Sequence, residues 1–261
     1  MESRAVPRVG VPVTAPDTLV ITGAAGDIGS AVAVRMASPN TRMLLIDQDL
    51  PKLQSTRSKV LDLCADVATL QCDISSAGDA AKYADVARDF SGGSVRWLFN
   101  NAGVSGDFAP LTDYSVETFD RVMAVNVRGM FLGLKHIGPL MSRGSAVVNT
   151  SSVGGIAGQA NMAAYVASKH AVMGLTKAAA LEWADRGVRV NAVCPGPVAG
   201  QMMDSIFAGL DLDPRDRAAQ VPMGRLATPA DVADSVAFLM EASADHLTGT
   251  SITIGGGRLA R

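Results

Sequence analysis

The sequence predicts an α/β protein, a doubly wound parallel sheet with helices on both faces. Three observations point there. Short β-branched and apolar runs alternate with amphipathic or Ala-rich segments from Thr18 to Ile254, the order that builds strand, crossover helix and next parallel strand. The first run, Thr18 to Thr22 (TLVIT), shows no polar alternation and so reads as a strand buried on both faces. A glycine cluster, TGAAGDIGSAVAVRMA, follows at once and opens an Ala/Val-rich helix.

In that cluster Gly23, Gly26 and Gly29 allow a tight turn, and the helix start offers free N–H groups and positive dipole to a pyrophosphate. Arg42 to Ile46 (RMLLI) is the second strand and ends on Asp47, 24 residues after Gly23. An acid about twenty positions past such a loop accepts both hydroxyls of an adenosine ribose and repels a 2′-phosphate, which favours NAD over NADP. Asp47 can instead cap the helix of LPKLQSTRSKV, but Asp49 can take that task and leave Asp47 free. Val67 to Gln71 is strand three, followed by Cys72 and Asp73, with Ser76 to Phe90 as its crossover helix. Arg96 to Phe99 is strand four and delivers Asn100, Asn101, Ala102 and Gly103, small and amide residues that suit a ligand across the sheet edge. Val116 to Met141 predicts one long helix or two abutting ones; Asn126 within it either faces solvent or bends the helix.

Ala146 to Asn149 is strand five and delivers Ser151 and Ser152. Asn161 can cap a helix running to about Asp185, with Gly187 as its stop. Val188 to Val193 is strand six, ended by Cys194-Pro195-Gly196-Pro197, whose prolines are expected to halt pairing. Residues from about 200 to 224 are Met-rich and irregular, with weak helical pieces, and read as a lid, with Met202, Met203 and Met223 either lining a pocket or packing the lid itself. Thr228-Pro229-Ala230-Asp231 starts a helix to about Glu241, and Thr250 to Ile254 makes the last strand. No linker or repeat interrupts this alternation, so residues 18–261 are expected to form one domain behind a disordered or loosely packed extension, residues 1–17.

Composition narrows the function. The net charge of −2 and scattered Lys and Arg leave no footprint for nucleic acid or an anionic membrane. Acidic substrates stay open, since one local Arg would suffice. The three cysteines show no metal-ligand or disulfide spacing, and no run of some twenty apolar residues predicts a membrane span. A cytoplasmic protein acting on a small molecule is the plain expectation. Tyr165 and Lys169, four residues apart, share one helix face, and Ser152 precedes Tyr165 by thirteen residues across a Gly-rich loop. A phenol beside an ammonium makes a proton-transfer unit. An unperturbed Tyr titrates near 10, so bringing it near 7 takes about 4 kcal/mol. One ammonium about 4 Å away at an effective dielectric near 20 supplies about that much.

In this order and spacing, the glycine loop of Thr22 to Gly29, Asn100-Asn101-Ala102-Gly103, Asn126, Ser152, Tyr165-Val166-Ala167-Ser168-Lys169 and Pro195-Gly196 closely resemble the classical short-chain dehydrogenase/reductase family. The resemblance spans Thr18 to Gly257 and implies a Rossmann-like sheet of seven strands, order 3-2-1-4-5-6-7, in a homo-oligomer, with a tetramer favoured. It implies NAD-dependent hydride transfer to or from a secondary alcohol or ketone, with a cyclic alcohol or diol as a weaker pointer. Tyr165 would exchange the proton, Ser152 hold the substrate oxygen, Lys169 hold the nicotinamide ribose and Asn126 hold a water. Gly23, Asp27, Ile28, Asp47, Asp73, Asn101, Ala102, Gly103, Pro195, Gly196 and Val198 would meet the cofactor together with Tyr165 and Lys169. A 3-oxoacyl thioester reductase shares this catalytic set, and a non-catalytic nucleotide sensor would share the scaffold. The chain departs from the family at Asp27, which stands for a glycine, and at Gly200, which stands for a Thr that contacts the nicotinamide amide. Asp tolerates left-handed backbone, so the turn is expected to survive with a carboxylate aimed away from the phosphates. A third departure, Gly255-Gly256-Gly257, replaces the usual Asp-Gly-Gly.

Overall fold

A computed structural model describes residues 15–210, 213 and 218–260. Seven strands form one sheet in the order β3-β2-β1-β4-β5-β6-β7, and every neighbouring pair is parallel. In chain order the strands are β1 (Asp17–Thr22), β2 (Thr41–Asp47), β3 (Asp66–Gln71), β4 (Trp97–Asn100), β5 (Ala146–Thr150), β6 (Arg189–Pro195) and β7 (Ser251–Ile254). The helices between them are α1 (Asp27–Met36), α2 (Leu50–Val60), α3 (Ala77–Ser91), α4 (Val116–Met123), α5 (Met130–Ile137), α6 (Ala163–Trp183), α7 (Gln201–Gly209) and α8 (Pro229–Met240). Both the strand order and the two-faced helical cover match the sequence-based expectation.

Successive strand residues point to opposite faces, and that period of two sorts the core. Val20, Leu44, Ile46 and Val147 pack with Tyr83 of α3, Ile137 of α5 and Ala180 of α6. Leu19, Ile21, Met43 and Leu45 pack on the other face with Val32 of α1, Leu53 of α2 and Val236 of α8. All of these except Ala180, at 3% exposure, are fully buried, so the sheet is the shared floor of two apolar layers. The direction in which successive strands are added reverses at β1, which has β2 on one side and β4 on the other. A crevice opens at the carboxyl ends of strands at such a switch point.

Several elements differ from the sequence reading. β1 begins at Asp17, paired with Thr41, so the sheet takes in the last residue assigned to the extension; residues 1–14 lie outside the described residues. β6 continues to Pro195, opposite Ile254, because the final bond runs from the Gly196 N–H to the Ile254 carbonyl at 2.9 Å and needs no proline donor. Asn161 does not cap α6: it adopts φ of 64°, Met162 occupies the cap position, and no side-chain cap bond forms. Gly187, at φ of 70°, does stop α6, bonding back to the Ala184 carbonyl at 3.0 Å. Of the one long helix or two abutting ones expected over Val116 to Met141, the structure has two, joined by a π turn, Ala124–Gly129, that the sequence reading did not anticipate. Of the lid, Gln201–Gly209 is a helix of nine residues, a longer piece than the weak helical ones expected there, while residues 211, 212 and 214–217 lie outside the described residues.

Candidate active site

A cleft of about 300 Å³ lies at the carboxyl ends of β1, β4, β5 and β6. Its floor begins at the glycine loop. Gly23 has φ of 68°, and a Cβ there would meet the Ala102 Cα at 2.8 Å, so only glycine lets this loop press against the turn after β4. Asn101 holds the same junction, its Nδ2 donating to the Thr22 and Gly23 carbonyls at 3.3 Å. Ile28, Gly103, Pro195, Gly196 and Val198 also line the cleft.

Asp47 ends β2 and faces the cleft, while Asp49 caps α2 by accepting from the Lys52 N–H at 3.1 Å. The capping task therefore falls to Asp49, as weighed above. Asp47 is nonetheless not idle. One carboxylate oxygen accepts from the Ala25 N–H at 3.0 Å and the other from the Asp49 N–H at 3.1 Å, which fixes the carboxylate against the glycine loop. Asp73 lines an adjoining hollow of about 110 Å³ with Asp47, Gly23 and Ala102. Its carboxylate accepts from the Ser75 N–H and hydroxyl at 2.9 and 2.8 Å. These features fit a dinucleotide: a glycine cradle, a helix start beside it, and a carboxylate held where a ribose would end.

Asp27 corrects one expectation. It is the first residue of α1 and is absent from the residues with positive φ, so the turn does not call on left-handed tolerance. Its carboxylate accepts from the Gln201 N–H at 2.8 Å.

Ser152, Tyr165 and Lys169 converge on the same cleft. Ser152 leaves β5 in extended backbone and is 8% exposed; its Oγ accepts from the Gly154 N–H at 3.1 Å. Lys169, on α6 one turn past Tyr165, is 3% exposed and donates from Nζ to the Thr150 carbonyl at 2.9 Å. That Nζ lies 5.6 Å from the centre of the Tyr165 ring. Burial brings the Lys169 ammonium from 10.5 down to about 8. Burial pushes the Tyr165 phenol up, and a hydrogen bond with Ser152 works against that rise. In the protein without cofactor, burial therefore opposes the acidification of the phenol that the sequence reading assigned to Lys169 aided by an oxidised nicotinamide.

Asn126 lies behind the cleft rather than in it and is completely buried. The π turn aims its amide at the loop after β4, where Oδ1 accepts from the Val104 N–H at 2.8 Å. Nδ2 donates to the Val104 carbonyl at 2.9 Å and to the Ser168 hydroxyl at 3.0 Å. A Cβ added at Gly103 would sit 3.1 Å from Asn126 Oδ1 and 3.3 Å from Lys169 Nζ, so these two polar groups flank Gly103 together.

Past Tyr165 the walls are Met162, Met202, Met203 and Ile206, with Gln159 and Arg258 as polar members. Met223 is not among them and lines a separate hollow beside Gly256. Cys194 is completely buried, which pushes its thiol up, as suits a small packing residue. Sequence reading missed Thr150, whose role is a backbone carbonyl that no side-chain pattern reveals. It also missed Arg258, which the Gly255-Gly256-Gly257 turn carries back over the cleft. Arg258 is half-buried, and its side chain has no hydrogen bond or ion pair with any of the described residues; burial lowers its guanidinium's proton affinity.

Sheet order, glycine cradle and Ser-Tyr-Lys cleft together define a dinucleotide-dependent oxidoreductase. Comparisons agree: a family model described as enoyl-(acyl carrier protein) reductase matches residues 23–258. Levodione reductase of Leifsonia aquatica is 34% identical over 251 residues, covering 93% of this chain and 94% of the relative. A crystal structure of levodione reductase superposes with a TM-score of 0.89 at 33% identity, over 94% of this chain and 98% of that one. Cyclohexanol dehydrogenase of Acinetobacter sp. (strain SE19) is 33% identical, with 91% and 92% covered. A crystal structure of NAD+-bound xylitol dehydrogenase gives a TM-score of 0.85 at 32% identity, with 92% and 98% covered. The chain belongs to the classical short-chain dehydrogenase/reductase family.

Proposed function

We infer that the protein is an NAD-dependent oxidoreductase that interconverts a secondary alcohol and its ketone. The observation that carries this reading is the convergence of Ser152, Tyr165 and Lys169 on one cleft that also holds the Gly23 cradle and Asp47. Bound NAD supplies the hydride acceptor or donor, and in its oxidised form a positive ring. The protein's own residues do the rest. Ser152 Oγ holds the substrate oxygen and steadies its developing charge. Tyr165 exchanges the proton at that oxygen. Lys169, fixed by the Thr150 carbonyl, keeps a cation behind the phenol and faces Gly103, where a ribose would lie. The apolar wall of Met162, Met203 and Ile206 excludes water from the exchange.

A panel of secondary alcohols offered with NAD+ or NADP+, followed by absorbance of the reduced cofactor, tests this reading. Turnover of at least one cyclic alcohol or diol with NAD+ is expected. Arg258, whose side chain has no partner among the described residues at the cleft wall, makes carboxylate-bearing alcohols essential members of the panel. The panel also includes a 3-oxoacyl thioester with reduced cofactor, since the matching family model carries an acyl-carrier-protein description. No turnover on any member would favour a nucleotide sensor. Asp47→Arg is expected to lower the preference for NAD+ over NADP+ by at least tenfold; an unchanged ratio of kcat/KM values would refute the ribose assignment.

A cytoplasmic homotetramer is the assembly this reading favours, on the strength of the resemblance. No helix among the described residues is long and apolar enough to cross a membrane. Light scattering that returns a monomer would overturn the assembly and leave the chemistry standing.

A further inference from the structure

The two positions that depart from the family pattern around the cleft, Asp27 and Gly200, touch each other. Asp27 Oδ2 accepts the hydrogen bond from the Gln201 N–H at 2.8 Å, joining groups 174 residues apart. Gln201 opens α7, whose own cap residue, Gly200, offers no side chain. A helix start leaves its first N–H groups without partners inside the helix. The Asp27 carboxylate supplies the acceptor that a side chain in the helix's own entry loop normally provides.

The space is exclusive. A Cβ built on Gly200 would lie 2.2 Å from Asp27 Oδ2 and 2.7 Å from its Cγ, and Gly200 holds φ of 144°, a conformation side chains rarely adopt. In this backbone a carboxylate at 27 and a side chain at 200 cannot coexist. A second tie runs from Lys52 Nζ to Gln201 Oε1 at 2.9 Å. The helix held this way carries Met202, Met203 and Ile206 into the cleft, and Met203 and Ile206 pack with Met162 against Tyr165.

We propose that Asp27 and Gly200 are one paired adaptation, in which the Asp27 carboxylate takes the volume of a side chain at 200 and caps α7 from the glycine loop. Asp27 is then a positioning residue: it sets the substrate wall beside Tyr165 from the loop that holds the dinucleotide. The coupling to cofactor rests on the function proposed above; the capping itself does not.

Hydrogen exchange on the full chain without cofactor separates the two. Asp27→Ala is expected to speed exchange at the Gln201 amide about tenfold, the loss of one charge-assisted hydrogen bond. Asp27→Asn, whose amide oxygen still accepts, is expected to stay within about threefold of the unmodified protein. Gly200→Ala alone is expected to loosen α7 at least as much as Asp27→Ala does, and to add less on an Asp27→Gly background than it does alone, because the strain of φ near 144° persists while the clash with the carboxylate is gone. With an alcohol substrate in hand, Asp27→Ala is expected to raise its KM at least about fivefold with kcat little changed, and Asp27→Asn to restore it. Unchanged Gln201 exchange in Asp27→Ala, or independent multiplication of the two substitutions' effects, would overturn the pairing. Failure of the unmodified protein to bind NAD+ would instead overturn the dinucleotide reading and leave the exchange result intact.

Discussion

Lys169 is the residue on which burial leaves the clearest mark. Its ammonium titrates near 8 in the folded protein against 10.5 for the free group, so between those values the unfolded chain holds more protons. Stability contributed by this site therefore rises with pH from about 8 to 10.5, and below 8 the full cost of burying the charge is felt. Lys169→Met is expected to raise Tm at pH 7 without cofactor, while abolishing turnover. The gap from the unmodified protein is expected to shrink as pH climbs past 8, measured by thermal unfolding at several pH values. A gap that widens with pH would contradict the burial of a charged Lys169. The positions of these polar residues were legible in the sequence, because four-residue spacing puts Tyr165 and Lys169 on one helix face. Their acidities were not, since desolvation depends on what the folded chain packs around them, the end of β5 at Lys169 and Met162, Met203 and Ile206 at Tyr165.

Among the elements, the π turn between α4 and α5 was the least legible. Apolar periodicity across Val116 to Met141 announces a helix, and one extra residue in a turn barely disturbs it. What the turn achieves is to aim Asn126 inward, where its amide pairs with both backbone groups of Val104. Asn126→Ala would leave those groups without partners, at about 1–3 kcal/mol for each one that stays unsatisfied. A loss of about 2–4 kcal/mol in urea unfolding is expected; a loss under about 0.5 kcal/mol would mean that water replaces the amide freely. The strands were easier, since unbroken apolar runs bounded by polar residues leave few alternatives in a two-faced sheet. Even so, β6 outran its expected end, because parallel pairing to β7 draws on the Gly196 donor and not on the Pro195 nitrogen. Contacts such as Asp27 with Gln201 leave no local pattern at all, because the partners lie 174 residues apart.

For the molecule as a whole, seven parallel strands wound in two directions leave one crevice at the β1/β4 junction, and every proposed catalytic or cofactor residue lines it, adjoins it or lies directly behind it. Order of motifs along the chain carries that much, because the topology maps strand ends onto one edge. The substrate wall is different in kind. It combines α7, the loop before α6 and Arg258 after β7, three segments whose convergence only the folded chain displays.

The proton exchange assigned to Tyr165 is tested most directly by Tyr165→Phe, with NAD+ affinity and alcohol turnover measured on the same preparation. Affinity is expected to stay within about threefold, while kcat falls by about 10²–10⁴, the usual worth of a positioned acid or base. Turnover close to that of the unmodified protein would contradict the assignment.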